Sequence, residues 1–89
     1  MLEKVKFEKL EILDLSVNKI SDINILEKVN FKELKKLYLN YNNISDIKVL
    51  ENVKFEKLEK LDLSYNKISK AENEQTISKL RFKINDFTV

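Results

Sequence analysis

The sequence predicts an α/β solenoid, in which similar units stack and share one short parallel β-sheet. The apolar residues repeat every 24 residues, as at Leu10, Leu34 and Leu58. Within each unit leucines alternate with polar residues, as at Leu37 and Leu39, and this period of two is typical of a strand. The chain has 89 residues, enough for one domain built from about three such units. A fixed period of this length is typical of units that bury apolar surface only by stacking.

The elements of one unit follow in a fixed order along the chain. In the middle unit, residues 34–39 predict a strand, and strands of successive units are expected to lie about 4.8 Å apart. Residues 45–56 predict a short helical or 3₁₀ segment that returns outside the sheet, because apolar residues recur there at spacings of two and three. Asp22 and Asp46 stand at the start of such return segments, where we expect their carboxylates to accept backbone hydrogen bonds.

The turn after each strand contains an asparagine that keeps the same register. A buried asparagine can both donate hydrogen bonds to the backbone and accept them, so three in register predict a ladder that closes every turn. Asparagine also tolerates left-handed backbone angles, which gives a chain without glycine a way to turn. The predicted ladder consists of Asn18, Asn42 and Asn66.

Three segments share one motif at equivalent positions. Each of these segments matches the pattern LxxLxLxxNxI: LEILDLSVNKI, LKKLYLNYNNI and LEKLDLSYNKI. This resembles the leucine-rich repeat family over residues 2 to about 70, and the ISDI after the asparagine is similar to the short-repeat subclass found in internalins and phosphatase regulatory subunits. The resemblance implies a right-handed leucine-rich-repeat superhelix with a short concave parallel sheet and helical or 3₁₀ convex segments. It also implies that the function is to hold another protein.

We expect a single solenoid domain whose two ends need covers, because the end units have no neighbour on one side. At the N-terminus the expected cover is a lone return segment that contains Leu2, Val5 and Phe7. The expected divisions are a partial N-terminal unit at 1–9, repeats at 10–33, 34–57 and 58–79, and a C-terminal capping strand at 80–89.

The C-terminal strand has two competing registers. A short helix is expected over residues 71–79, and apolar residues at 80, 82 and 84 alternate with basic ones, which predicts a last strand there. The 24-residue register instead aligns Ile77, Phe82 and Phe87 with the preceding unit. We favour the alternating strand, with Phe87 and Val89 covering the end of the core.

Charges alternate in sign between equivalent positions of successive units. One column contains Lys9, Glu33 and Lys57, and two further columns alternate in the same way. Opposite charges on neighbouring strands stabilise a sheet by roughly 0.2–1 kcal/mol per pair, whereas like charges destabilise it. We therefore interpret the alternation as control of register. The other two columns are Glu8, Lys32, Glu56 and Glu11, Lys35, Glu59.

Composition excludes several kinds of chemistry. The chain has no Cys, no His and no Gly, which excludes disulfides, thiolate nucleophiles, histidine acid–base catalysis and glycine-rich phosphate loops. Its net charge of +2, from 17 basic and 15 acidic residues, gives no reason to expect nucleic acid or a membrane surface as a partner. We expect no cofactor and no metal site. Secreted proteins of the family that the sequence resembles often carry cysteine-rich caps, and this chain has no cysteine, which favours an intracellular setting. The sequence does not fix the location.

Two carboxylates have a spacing that raises the question of acid–base catalysis. Asp14 and Asp62 are expected on the same side of the sheet, two strands and about 10 Å apart, near the upper end of the range in inverting glycosidases. Such catalysis needs an enclosed site that raises one pKa, and a shallow sheet leaves both groups ionised in water. We therefore expect that the chain is not an enzyme.

The residues between the leucines are expected to line the concave face. Tyrosines flanked by fixed charges are typical of protein-binding surfaces, because tyrosine supplies contact area and a hydroxyl at low entropic cost. We therefore predict that a protein partner binds across this face. The alternative is a structural unit that forms homo-oligomers through incompletely capped solenoid ends. The predicted partner-binding residues are Ile12, Asp14, Lys36, Tyr38, Tyr41, Lys60, Asp62 and Tyr65.

Overall fold

The computed structural model describes residues 9–29 and 31–89. Four short strands form one parallel sheet in chain order. Two 3₁₀ helices and one α-helix connect them on the outside, so the predicted α/β solenoid is confirmed. The expected N-terminal cover, with Leu2, Val5 and Phe7, lies outside the described residues. The strands are β1 (Ile12–Asp14), β2 (Lys36–Tyr38), β3 (Lys60–Asp62) and β4 (Asp86–Thr88), and the helices are the first 3₁₀ helix (Asn24–Lys28), the second 3₁₀ helix (Lys48–Glu51) and α1 (Glu74–Lys83).

The first three strands stack in the register that the repeat predicts. Leu13 pairs with Leu37, and Leu37 pairs with Leu61, each 24 residues further along the chain. Leu37 and Leu61 are fully buried, and Leu13 packs against the same core. Phe31 and Phe55, also 24 residues apart, stack with ring centroids 5.7 Å apart. Equivalent apolar residues therefore touch in space and form one continuous core.

The return segments are held by the aspartates that precede them. Asp22 accepts a hydrogen bond from the backbone N–H of Asn24 at 2.9 Å, and Asp46 accepts one from Lys48 at 3.0 Å. Both predicted hydrogen-bond acceptors are confirmed. Each carboxylate satisfies an N–H at the start of a 3₁₀ helix that no earlier carbonyl could reach.

The residue before each turn asparagine adopts the left-handed conformation. The backbone angle φ is 55° at Val17, 58° at Tyr41 and 57° at Tyr65. The prediction that asparagine supplies this conformation is therefore wrong. The asparagine side chain points into the turn to reach the backbone, so the chain reverses at the exposed residue before it.

The turn asparagines connect successive units through backbone groups. Asn42 Nδ2 donates to the carbonyls of Leu15 and Leu39, each at 3.0 Å, and Asn42 Oδ1 accepts from the N–H of Ile20 at 3.1 Å. Asn66 makes the equivalent three bonds one unit later. Each of these two side chains therefore joins two turns.

Two other asparagines depart from this arrangement. Asn18 Nδ2 donates to carbonyls within its own turn, those of Leu15 and Ser16. Asn73 was not predicted, yet its Nδ2 donates to the Ser45 carbonyl and its Oδ1 accepts from the N–H of Ile47. The C-terminal helix is thus joined to the second unit by an asparagine outside the 24-residue register.

The C-terminal end differs from both predicted registers. Residues 80–83 belong to α1, so the predicted strand at 80–84 is wrong. The strand is β4, and Leu61 pairs with Phe87, an offset of 26 residues rather than 24. The physical reason is that Ile77, Leu80 and Ile84 recur at helical spacing and are buried, while Phe82 is exposed. Phe87 and Val89 do pack against the core.

The predicted charge alternation forms one ion pair within the described part of the chain. Lys57 Nζ lies 3.1 Å from Glu33 Oε1, and both side chains are about half exposed. Among residues 9–29 and 31–89, no other pair from the three columns comes within ion-pair distance; Glu8 lies outside this range. An exposed pair of this kind stabilises a protein by roughly 0–1 kcal/mol.

Candidate functional site

The sheet register brings the predicted binding residues into adjacent rows on the side opposite the leucine core. One row runs Ile12, Lys36, Lys60 and ends at Asp86 of β4; the next begins at Asp14 and ends at Thr88. Side chains alternate between the two faces of a strand, so both rows face away from the buried leucines. The second row in full is Asp14, Tyr38, Asp62 and Thr88.

The basic row contains one paired and one unpaired lysine. Lys36 and Lys60 are direct neighbours, which is unfavourable for like charges. Lys60 Nζ lies 3.2 Å from Asp86 Oδ2 and 5.9 Å from the ring centroid of Tyr38. The hydrogen bond and charge of Asp86 raise the pKa of Lys60. Lys36 has no ion pair within the described residues, so it is available to an acidic group of a partner.

The two aspartates of the second row are oriented by serines two residues later. Asp14 Oδ1 accepts from both the N–H and the hydroxyl of Ser16, and Asp62 Oδ1 accepts from the same groups of Ser64. The Ser16 hydroxyl and N–H lower the pKa of Asp14 below its ordinary value. Asp14 is therefore ionised at neutral pH, the opposite of what a general acid requires.

The middle unit breaks this Asp–Ser pattern. Tyr38 stands where its neighbours have aspartate, and Asn40 stands where they have serine. Asn40 Oδ1 is buried and accepts no hydrogen bond in the described part of the chain. A buried acceptor without a donor destabilises a protein by about 1–3 kcal/mol. The middle unit thus presents Tyr38 at the centre of the face and, two residues later, carries an unpaired Asn40 oxygen that lowers stability.

A strip of three exposed residues, Val17, Tyr41 and Tyr65, borders the strand ends; we call it the aromatic strip. The rings of Tyr41 and Tyr65 stack with centroids 4.4 Å apart and an interplanar angle of 6°. Val17 is 74% exposed, Tyr41 50% and Tyr65 70%. Partial desolvation of Tyr41 raises its pKa, and the adjacent Tyr65 and Asp62 raise it further. The strip is an ordered apolar surface that water still reaches.

Sequence reasoning missed two members of this face and one of its supports. Asp86 and Thr88 were missed because the last strand was expected at 80–84. Asn73 was missed because it does not fall in the 24-residue register that identified the other asparagines. An Asp–Phe–Thr alternation near the C-terminus was the available signal for β4.

Two further searches bear on the type of site. Within residues 9–29 and 31–89, no group of three His, Cys, Asp or Glu side chains is placed to hold a metal ion. Over the same residues, no helix has both the length and the apolar character required to cross a membrane.

The repeat region matches two family models. One, described as Leucine Rich repeats (2 copies), matches residues 8–52, and another, described as Leucine Rich repeat, matches residues 56–71. Together they cover the first three strands and the aromatic strip. The comparisons with curated proteins and with solved structures found no match.

Proposed function

Because the chain belongs to the leucine-rich repeat family, we propose that it binds a protein partner through the concave face of its sheet. Domains of this family generally mediate protein–protein interaction, and they are typically not enzymes. The binding surface in this proposal consists of the two strand rows and the aromatic strip. The residues of this surface that the sequence predicts are Ile12, Asp14, Lys36, Tyr38, Tyr41, Lys60, Asp62 and Tyr65, and the rows and the strip add Val17, Asp86 and Thr88.

The aromatic strip is the observation that supports this proposal most strongly. All three of its residues hold left-handed backbone angles, which cost of order 1–3 kcal/mol each for residues other than glycine. The chain therefore places bulky, water-exposed side chains where asparagine or glycine would be more stable. Stacked, pre-ordered tyrosines lose little conformational entropy on binding, which suits them to be interface anchors.

The dimensions of the face indicate the kind of partner segment that fits. Four strands at about 4.8 Å span roughly 15 Å, which supports less contact area than the roughly 800 Å² per partner of a standard interface. An extended segment that crosses the strands fits such a surface. Lys36 and Asp14 offer opposite charges along its path, so the segment should carry both an acidic and a basic side chain.

The experiment pans a displayed library of random peptides against the immobilised chain. Peptides that bind are then measured against a variant in which Tyr38, Tyr41 and Tyr65 are all replaced by Ala. We expect affinity to fall at least about tenfold, because aromatic anchors commonly contribute more than 1 kcal/mol each. Phe82→Ala is the control, since this exposed phenylalanine lies on α1, outside the face. Equal binding by the triple variant would contradict the proposal.

A second variant separates function from folding. Tyr38→Asp with Asn40→Ser gives the middle unit the Asp–Ser pattern of its neighbours. We expect the variant to unfold at a higher urea concentration when measured in high salt, because the unpaired Asn40 oxygen is removed and the salt screens the new aspartate from its neighbours Asp14 and Asp62. We expect it to bind the selected peptides more weakly, because the central tyrosine is lost. A variant that gains stability and binds equally well would show that Tyr38 is not an anchor.

Self-association is a second candidate function, favoured by one observation. Phe82 is 93% exposed on α1, although phenylalanine usually lies in protein interiors. Association of copies could bury this exposed ring, and removing apolar surface from water is favourable. Static light scattering over a concentration series tests this role, and a constant monomer mass would contradict it.

A further inference from the structure

We propose that Tyr41 and Tyr65 form an oxidative cross-linking site, at which a one-electron oxidant joins their rings through a carbon–carbon bond. The product is a dityrosine that links the second unit to the third within one chain. The cross-link does not require a partner on the concave face, because it depends only on the contact between the two rings.

The backbone brings the two tyrosines into the same orientation on neighbouring turns. The N–H of Tyr41 donates to the carbonyl of Ser64 at 3.0 Å, so the pairing of β2 with β3 continues into the turns that follow them. The backbone angle φ is 58° at Tyr41 and 57° at Tyr65, which gives both side chains the same starting direction. The ring planes differ by only 6°, so the side chains remain aligned as far as the rings.

The two rings are close enough to react with each other. Their centroids lie 4.4 Å apart, and stacked rings in the same orientation hold equivalent carbons at a similar separation. Carbon atoms in contact lie about 3.5–4.0 Å apart, so a movement of less than about 1 Å brings the rings into contact. Exposed side chains move on the picosecond to nanosecond timescale, so this approach does not limit the reaction.

Both rings are open to an oxidant in solution. Tyr41 and Tyr65 are exposed to at least half of their full extent. Desolvation raises the pKa of Tyr41, and the adjacent Tyr65 and Asp62 raise it further, so Tyr41 is a neutral phenol at neutral pH. Oxidation of a neutral phenol releases a proton together with the electron, and water at this exposed position accepts that proton.

The reaction balances with a haem peroxidase and hydrogen peroxide as the oxidising system. Each tyrosine loses one electron and one proton and becomes a phenoxyl radical, whose unpaired electron is shared with the ring carbons ortho to the oxygen. The two radicals form one bond between ortho carbons, and the hydrogen on each bonded carbon moves to its phenol oxygen. Hydrogen peroxide accepts the two electrons and two protons and becomes two molecules of water.

The third tyrosine of the chain lacks such a neighbour in its row. Tyr38 is paired with Asp14 on one side and with Asp62 on the other. Its ring instead lies near a cation, with Lys60 Nζ 5.9 Å from the ring centroid. The aromatic strip itself has valine at position 17, so it contains one tyrosine pair. Tyr38 is therefore an internal control for the reaction.

The cross-link also changes the surface that we propose for partner binding, and this consequence rests on that proposed function. Rings joined by a bond between two ortho carbons lie edge to edge, so they cannot keep the parallel stack of Tyr41 and Tyr65. The aromatic strip then presents a different shape on two turns that are covalently joined. Oxidation would thus regulate the concave face by removing its stacked anchors.

The test oxidises the full chain with peroxidase and hydrogen peroxide and measures dityrosine by its fluorescence and by intact mass. Two groups tethered in one chain have an effective concentration of order mM, so at about 10 µM protein we expect coupling within a chain to exceed coupling between copies roughly a hundredfold. The main product should be a monomer that has lost the mass of two hydrogen atoms. Product found only as dimers would overturn the inference.

Digestion with trypsin locates the bond, because lysines separate the tyrosines along the chain. Cleavage after lysine releases residues 37–48, with Tyr38 and Tyr41, and residues 61–67, with Tyr65. The oxidised monomer should give one species with the summed mass of both peptides less two hydrogen atoms. A natural chain that gives only the separate peptides would overturn the inference.

Three matched variants identify the reacting rings. Tyr41→Phe and Tyr65→Phe should each lose the cross-linked monomer, because phenylalanine has no hydroxyl from which a phenoxyl radical can form. Tyr38→Phe should cross-link as the natural chain does. Each substitution keeps the ring and removes one hydroxyl, so the circular dichroism spectra should be the same. Cross-linked monomer from Tyr41→Phe would overturn the assigned pair.

The binding measurement is made separately, on purified cross-linked monomer and the peptides selected on the natural chain. We expect their affinity to fall at least about tenfold, because two aromatic anchors are displaced. Cross-linking with unchanged peptide affinity would overturn the regulation and leave the cross-linking site in place. A chain that cross-links but selects no peptide would overturn the proposed function alone, whereas one that binds peptides but does not cross-link would overturn this inference alone.

Discussion

At the scale of single residues, each turn divides two tasks between adjacent side chains. Val17, Tyr41 and Tyr65 carry the left-handed backbone, and the asparagine that follows each of them bonds to backbone groups. The first task costs stability because a β-branched or aromatic side chain crowds the left-handed backbone. The second adds stability because it satisfies buried backbone groups.

The cost of the left-handed backbone can be measured at Val17. Asparagine adopts this conformation more readily than valine, and Val17 is largely exposed, so Val17→Asn should raise the free energy of unfolding by about 1 kcal/mol. Urea denaturation measures this change. Ile12→Asn is the matched control, because Ile12 is an exposed aliphatic residue on a strand and should gain nothing. Equal effects at both positions would contradict the account of the strain.

The bonds between turns can be measured at Asn42. Asn42→Ala should lower the free energy of unfolding by about 2–3 kcal/mol, because the N–H of Ile20 loses its acceptor and the carbonyls of Leu15 and Leu39 lose a donor. Asn18→Ala is the control, since the side-chain hydrogen bonds of Asn18 to described residues stay within its own turn. Urea or thermal denaturation measures both changes. Equal losses of unfolding free energy in the two variants would contradict this role.

At the scale of elements, the C-terminal cap shows where a periodic sequence misleads. Apolar residues at 77, 80 and 84 fit a helix, while those at 80, 82 and 84 fit a strand, and five residues cannot decide between the two periods. Burial decides it: Leu80 and Ile84 pack inward, and Phe82 does not.

The helical cap makes opposite predictions for two neighbouring apolar residues. Leu80→Ala should lower the free energy of unfolding by about 2–5 kcal/mol, because it opens a cavity beneath α1. Phe82→Ala should change it by less than about 0.5 kcal/mol, because the ring is exposed. Urea denaturation measures both at low protein concentration, where association does not contribute. Similar losses at the two positions would indicate a strand rather than a helix.

At the scale of the whole molecule, the repeat was sufficient to predict the stacking but not the ends. The leucine period gave the register of Leu13, Leu37 and Leu61, and with it the two rows of the concave face. The offset of β4 was not predictable from the period, because α1 replaces a return segment and lengthens the connection. Asn73 follows from that same change, so periodicity carried no information about it.

The central claim is that equivalent residues of successive units are direct neighbours, and one cross-link tests it. The chain has no native cysteine, so introduced pairs report without background. Ile12→Cys with Lys36→Cys places two thiols on paired positions about 4.8 Å apart, whereas Ile12→Cys with Lys60→Cys places them two strands apart, beyond the roughly 7 Å limit of a disulfide. Mass spectrometry after mild oxidation should find an intramolecular disulfide in the first variant and none in the second. No bond in the first variant, or equal bonds in both, would contradict the stacked register.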